Sequence, residues 1–287
     1  MLAEMSGTAG TTPRQRTSST RRRGAIALLL LLAALGFAVG CGSDPDSSSA
    51  TGAPALGAVT PAVTGTVTVF AAASLTEAFT EAAEAFEDAN PDADVTLSFG
   101  ASSALAQQII EGAPADVFAS ADEANMQKVV DVDGIDGEPV PFATNSLQII
   151  VEPGNPRNIT GVADLDASGI LYVTTAPEVP IGRYAAQVLQ QAGVTVAPVS
   201  QEADVKGIVT KVTSGEADAG IVYVTDVTAA GADADGVTIP TDINVVATYP
   251  VGVTTETQNP EAGAAWVAFL TSAEGQAVLA QHGFGAA

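Results

Sequence analysis

Four short stretches place small or polar residues where a strand or loop gives way to a helix: Ala73-Ser74-Leu75, Ala101-Ser102-Ser103, Pro180-Ile181-Gly182 and Asp204-Val205-Lys206. The first turn of a helix carries backbone N–H groups without intrahelical partners, at the positive end of the helix dipole. Anions settle there without needing a cationic side chain. The same residues also have plain structural uses. Ser74 with Glu77 three positions on fits a capping box, and Ser102-Ser103 fit helix caps. Ile181 and Val205 fit packing positions, and Tyr223, inside the apolar run AGIVYV, fits a core ring with a satisfied hydroxyl. Residue types alone leave both readings open.

Other chemistries fit less well. Gly100-Ala101-Ser102-Ser103-Ala104 approaches the G-x-S-x-G nucleophile elbow but ends in Ala, and the single histidine, His282, lies in a segment that reads as a helix end. A lipid-anchored serine hydrolase is therefore only a remote alternative, and the chain is not expected to be an enzyme or to need a cofactor. One cysteine, Cys41, excludes an internal disulfide framework, a C-x-x-C pair and a multi-cysteine zinc site. The acidic run from Asp131 to Glu138 lacks EF-hand spacing and reads as a solvated turn.

Charge narrows the partners. With 33 Asp+Glu against 10 Lys+Arg the formal net charge is −23, which argues against nucleic acid and against electrostatic docking to an anionic bilayer. Beyond the first 41 residues only Lys128, Arg157, Arg183, Lys206 and Lys211 are basic. Arg183 and Lys206 stand within two residues of two of the helix starts. They have two readings: ordinary pairs with the abundant carboxylates, such as Glu178, Glu202 or Asp204, or a positive field that steers an anion to a cleft mouth.

The elements that must position these residues begin after an export signal. Arg21-Arg22-Arg23, the uncharged stretch Gly24 to Val39 and the boundary Ala38-Val39-Gly40-Cys41 predict a secretory signal over 1–40, with Cys41 as a lipidated first residue. The route, general secretory or twin-arginine, is open. Residues 42–65 are Ser, Gly, Ala, Pro and Thr without hydrophobic periodicity, and read as a flexible tether. As a random coil it reaches roughly 25–30 Å.

From Thr66 the pattern alternates. Strands are expected at the VTVFAAA run, Asp94 to Phe99, Asp116 to Ala119, Asn145 to Val151, Ile170 to Thr174 and Ala219 to Val224. Between them lie helical repeats: from Leu75 to a stop at Asn90-Pro91, from Ala104 to Glu111, from Pro180 to Ala192, and from Asp204 to near Gly215. Pro260 to Gln281 reads as helical. Such alternation predicts an α/β fold with mainly parallel sheets.

Taken together, VTVFAAASLTEAF at 67–79, SFGASSALAQQIIEGAPADVFASAD at 98–122, NSLQIIVEPGNP at 145–156, PEVPIGRYAAQVL at 177–189, EADVKGIV at 202–209, AGIVYVTD at 219–226 and GQAVLAQHGFG at 275–285 resemble the substrate-binding protein of molybdate ABC transporters. The resemblance implies a two-lobed periplasmic-binding-protein-like fold of type II, with the ligand in a cleft between lobes. It implies lobe 1 over 66–144 plus 253–287 and lobe 2 over 145–252. It also implies a tetrahedral oxyanion held by hydrogen bonds alone: from Ser74 and Ser102 through hydroxyl and backbone, from Ile181 and Val205 through backbone N–H, and from Tyr223 through its hydroxyl. These would also be the metal-site residues if molybdate is counted as a metal ligand. Ile181 stands where such proteins often carry Ala, a change that backbone readout tolerates. The implied function is capture of molybdate, with tungstate, by an extracytoplasmic, lipid-anchored monomer that serves an ABC permease and ATPase. Another tetrahedral oxyanion such as sulfate is the alternative. Four helix starts at about +0.5 each nominally match a dianion.

Overall fold

The computed structural model describes residues 63–287. The expected signal over 1–40, Cys41 and residues 42–62 of the expected tether lie outside the described residues. Strand β1 (Thr64–Ala72) already includes Thr64 and Gly65, which pair with Asp92 and Ala93. The folded body therefore starts two residues earlier than composition indicates, and Asn259 donates to the Thr64 carbonyl to hold that edge.

After β1 a 3-10 turn (Ala73–Leu75) leads into α1 (Thr76–Ala89). There follow β2 (Asp92–Gly100), α2 (Ser102–Ile110), β3 (Val117–Ala119) and α3 (Glu123–Val130). The long β4 (Val140–Val151) then leads through a short 3-10 segment to β5 (Tyr172–Thr175), α4 (Pro180–Gln191), β6 (Ser200–Glu202) and α5 (Val205–Thr213). Next come β7 (Ala219–Tyr223), α6 (Val224–Ala230) and β8 (Asp235–Thr238). The chain closes with β9 (Val246–Val253), α7 (Pro260–Thr271) and α8 (Ala273–Gln281).

The strands pair in the order β2-β1-β3-β9-β4-β7-β5-β6, with β8 also on β4. β1 is parallel to β2 and β3, and β5 is parallel to β6 and β7. Every pairing made by β4 or β9 is antiparallel. The expectation of mainly parallel sheets thus holds on either side but not at the centre. There β4 pairs with β9 up to Ser146, with β7 from Leu147 onward and with β8 from Gln148 onward. β9 in turn pairs with β3 from Val251. These two strands join the two lobes of the fold.

Small side chains make the close packing possible. Ala71, Ala119 and Ala219, on the parallel strands, are fully buried, as are Val67, Val69 and Val117. Asp116 ties the C-terminal return to β1: its carboxylate accepts from Thr68 N at 2.7 Å and from Gln258 N at 2.8 Å. A file of aromatic rings runs from this core toward the centre, Trp266 to Phe79 at 5.6 Å, Phe79 to Phe142 at 5.7 Å, Phe142 to Tyr249 at 6.4 Å and Tyr249 to Tyr223 at 5.8 Å. Tilted and edge-on contacts of this kind stabilise a core beyond area burial alone. Each parallel strand ends toward the same place. In open α/β sheets that end is where ligands bind.

Candidate functional site

The carboxyl ends of β1, β2, β3, β5, β6 and β7 feed one cavity of about 20 Å³. That volume exceeds the roughly 10–15 Å³ needed for one water and is far below the several hundred of an organic-ligand pocket. It suits a single small ion. Ser74, Ser102, Ile181, Val205 and Tyr223 all line it, although they lie up to 149 residues apart in sequence. All five are at least 96% buried.

Each reaches the cavity by a local device. Ser102 opens α2 after the extended residue Ala101, which makes no side-chain cap. Its oxygen accepts from Ala121 N at 2.9 Å, so the hydroxyl proton is free to point elsewhere. Ile181 is the second residue of α4, behind Pro180 at the position where a missing N–H costs nothing, and Val179 supplies no side-chain cap. Gly182 lets this first turn sit against the end of β5: a Cβ there would lie 2.4 Å from the Ala176 carbonyl oxygen and 2.6 Å from Thr175 Oγ1. Val205 opens α5, where the Asp204 carboxylate turns back to accept from Gly207 N at 3.1 Å. That cap keeps the one acidic side chain of the lining occupied with its own helix.

Ser74 departs from the capping-box reading. It lies in the 3-10 turn, α1 begins at Thr76 without a side-chain cap, and Ser74 Oγ sits 3.0 Å from Tyr249 Oη. Glu77 reaches across to Lys206 instead. Tyr223 departs from the satisfied-ring reading. The residue lines the cavity, and its buried hydroxyl has no hydrogen-bond partner among the described residues. Burial pushes its pKa well above the ordinary tyrosine range, with nearby Tyr249 adding to the effect, so it stays a protonated donor.

Arg183 and Lys206 are engaged, and not with Glu178, Glu202 or Asp204. Arg183 on α4 pairs with buried Asp122, the cap of α3. Lys206 on α5 pairs with Glu77 of α1 at 2.7 Å and lies 3.3 Å from Asp226 of α6. Burial alone would lower both pKa values, but the facing carboxylates hold both above their ordinary range. As placed, they tie the two sides of the cavity together rather than stand free at its mouth. Asp226 is the exception among the carboxylates: complete burial raises it to about 6 despite Lys206. The remaining candidate nucleophilic chemistry has no support here, since His282 pairs with Glu81 at 2.8 Å rather than with a serine.

Sequence reasoning missed Tyr249 as a partner of the site, the Ala121 N–H behind Ser102, and the ion pairs across the cavity. None has a local signal. Tyr249 lies 175 residues from Ser74.

A two-lobed α/β fold with buried donors converging on an ion-sized cavity defines a solute-binding protein. Residues 67–285 match the bacterial extracellular solute-binding protein family, and the chain belongs to it. Its relatives include the molybdate-binding protein ModA of Mycobacterium bovis, 40% identical over 86% of this chain and 92% of the relative. Two solved structures share the fold. The periplasmic molybdate-binding protein of Azotobacter vinelandii is 21% identical at a TM-score of 0.65, over 76% of this chain and 98% of the other. The sulfate-binding protein SubI of Mycobacterium tuberculosis is 20% identical at 0.68, over 76% and 86%. The family places the protein outside the cytoplasm, and among the described residues no helix is long and apolar enough to cross a membrane.

Proposed function

We propose that this protein captures molybdate, and tungstate with it, and delivers the anion to the permease and ATPase of an ABC importer. The observation that carries the reading is that Tyr223, whose buried hydroxyl has no partner among the described residues, lines one cavity with Ser74, Ser102, Ile181 and Val205. A buried hydroxyl left without a partner costs about 1–3 kcal/mol, a cost that an anion's oxygen would remove. The first turns of α2, α4 and α5 supply N–H groups and positive dipole ends on the same centre. The 40% identity to a protein named for molybdate binding supports molybdate among tetrahedral dianions. Sulfate has the same shape and charge and is the competing ligand.

The lobes on this reading meet at the strand exchange of β4 and β9, and closing them over the anion engages donors from both. Capture and hand-over require no bond making, so the protein is a carrier and not an enzyme, and it needs no cofactor. It acts as a monomer held to the membrane through lipid on Cys41. Calorimetry with molybdate, tungstate, sulfate and phosphate tests the assignment: molybdate binding tighter than sulfate supports it, and sulfate binding tighter rejects it. Palmitate labelling of the wild type and its loss in Cys41→Ser tests the anchor.

A further inference from the structure

The three cavity hydroxyls are held in different ways. Ser102 Oγ is occupied by a backbone N–H, which can only donate, so the Ser102 proton has to go elsewhere. Ser74 Oγ faces another hydroxyl, Tyr249 Oη, and either oxygen could be the donor. The surroundings decide between them. Tyr249 is fully buried on β9; the Asn145 and Tyr223 side chains also lie near its hydroxyl, but Ser74 Oγ is the one group within hydrogen-bond distance among the described residues. If Ser74 donated to Tyr249, the tyrosine proton would be left buried with no acceptor at hydrogen-bond distance, at a cost of about 1–3 kcal/mol. If Tyr249 donates, its proton is satisfied and the Ser74 proton is released toward the cavity that Ser74 lines.

We propose that Tyr249 is a positioning residue that sets specificity: by donating to Ser74 Oγ it fixes Ser74 as an outward donor, so that a proton rather than a lone pair faces the ligand. The inference rests on the oxyanion reading of the cavity. A fully deprotonated dianion gains from such a wall. A protonated oxyanion such as hydrogen phosphate brings a proton that needs an acceptor, and at Ser74 it meets another proton instead. The same residue sits on the strand that joins the lobes, with its ring edge-on to Phe142, Tyr223 and Phe284.

Tyr249→Phe keeps the ring and these contacts and removes only the hydroxyl. Calorimetry with molybdate and phosphate at pH 7.5 on the wild type, Tyr249→Phe, Ser74→Ala and the double variant, each checked by thermal melting, tests the proposal. In the wild-type background Tyr249→Phe should weaken molybdate about threefold to tenfold, the span of one hydrogen bond. It should also narrow the molybdate-to-phosphate ratio. In the Ser74→Ala background the same change should move molybdate less than twofold, because its effect passes through Ser74. Equal losses in both backgrounds, or an unchanged ratio, would overturn the proposal and leave Tyr249 a packing residue. A wild type that takes up no tetrahedral oxyanion overturns the oxyanion reading and this inference with it.

Discussion

The two sides of the cavity solve one problem with different materials. The side built from β1 to α3 presents Ser74 and Ser102, whose side chains carry hydroxyls and whose oxygens are tied from behind by Tyr249 and Ala121. The side built from β5 to α5 presents Ile181 and Val205, whose side chains are apolar and whose polar contribution is backbone N–H at a helix start. On the proposed function, the first side reads its ligand through residue identity. The second reads it through backbone position, and so tolerates substitution as long as the helix start stays put. Tyr223, at the end of β7, is the one side-chain donor on the second side.

This contrast orders the expected effects. Ser102→Ala removes a charge-assisted donor and should cost about 1.5–3 kcal/mol in anion affinity, checked by calorimetry. Tyr223→Phe should cost a similar amount in affinity, yet raise the melting temperature of the ligand-free protein, because it deletes a buried hydroxyl that lacks a partner. A variant that loses both affinity and stability would show that the hydroxyl has a structural partner. Asp226→Asn probes the ion pairs behind the second side. Its native pKa of about 6 lies above the ordinary 3.8, so the folded state holds the proton more tightly, and this group's contribution to stability falls as pH rises from about 4 to 6. The variant should therefore gain most over the wild type at pH 7 and least near pH 4, with a slope of at most about 1.4 kcal/mol per pH unit. Thermal melts across that range check the sign. Ile181→Val should be the mildest: about 0.5–1.5 kcal/mol of stability from the trimmed core, with affinity unchanged. A marked loss of affinity there would break the distinction between the two sides.

Much of this arrangement is local and was therefore readable. The stop at Asn90-Pro91 and the turns at Gly193 and Gly215, both with positive φ, end α1, α4 and α5 as their residue types require. Helix starts after strands are also local, and they single out Ser74, Ser102, Ile181 and Val205 as candidates; Tyr223 reads equally well as a core ring, and only the resemblance to molybdate-binding proteins joins the five into one site. What stayed hidden depends on partners remote in sequence. Ser74-x-x-Glu77 has the pattern of a capping box, but Tyr249 and Lys206 offer each side chain a stronger tertiary partner. The expected strand Asn145 to Val151 covers only the second half of β4; the first half includes Pro141, which the strand accommodates next to an irregularity before Ala143. α6, rich in Val and Thr, has poor helix propensity and is held by Asp226, whose carboxylate accepts from Tyr223 N.

The most direct measurement of the central claim is a crystal structure grown with molybdate, in which anomalous scattering locates the molybdenum. The account predicts one peak in the cavity, with anion oxygens at hydrogen-bonding distance from the Ser74, Ser102 and Tyr223 hydroxyls and from the backbone N–H groups of Ile181 and Val205. A peak elsewhere, or an anion in the cavity that contacts only one side, would contradict it.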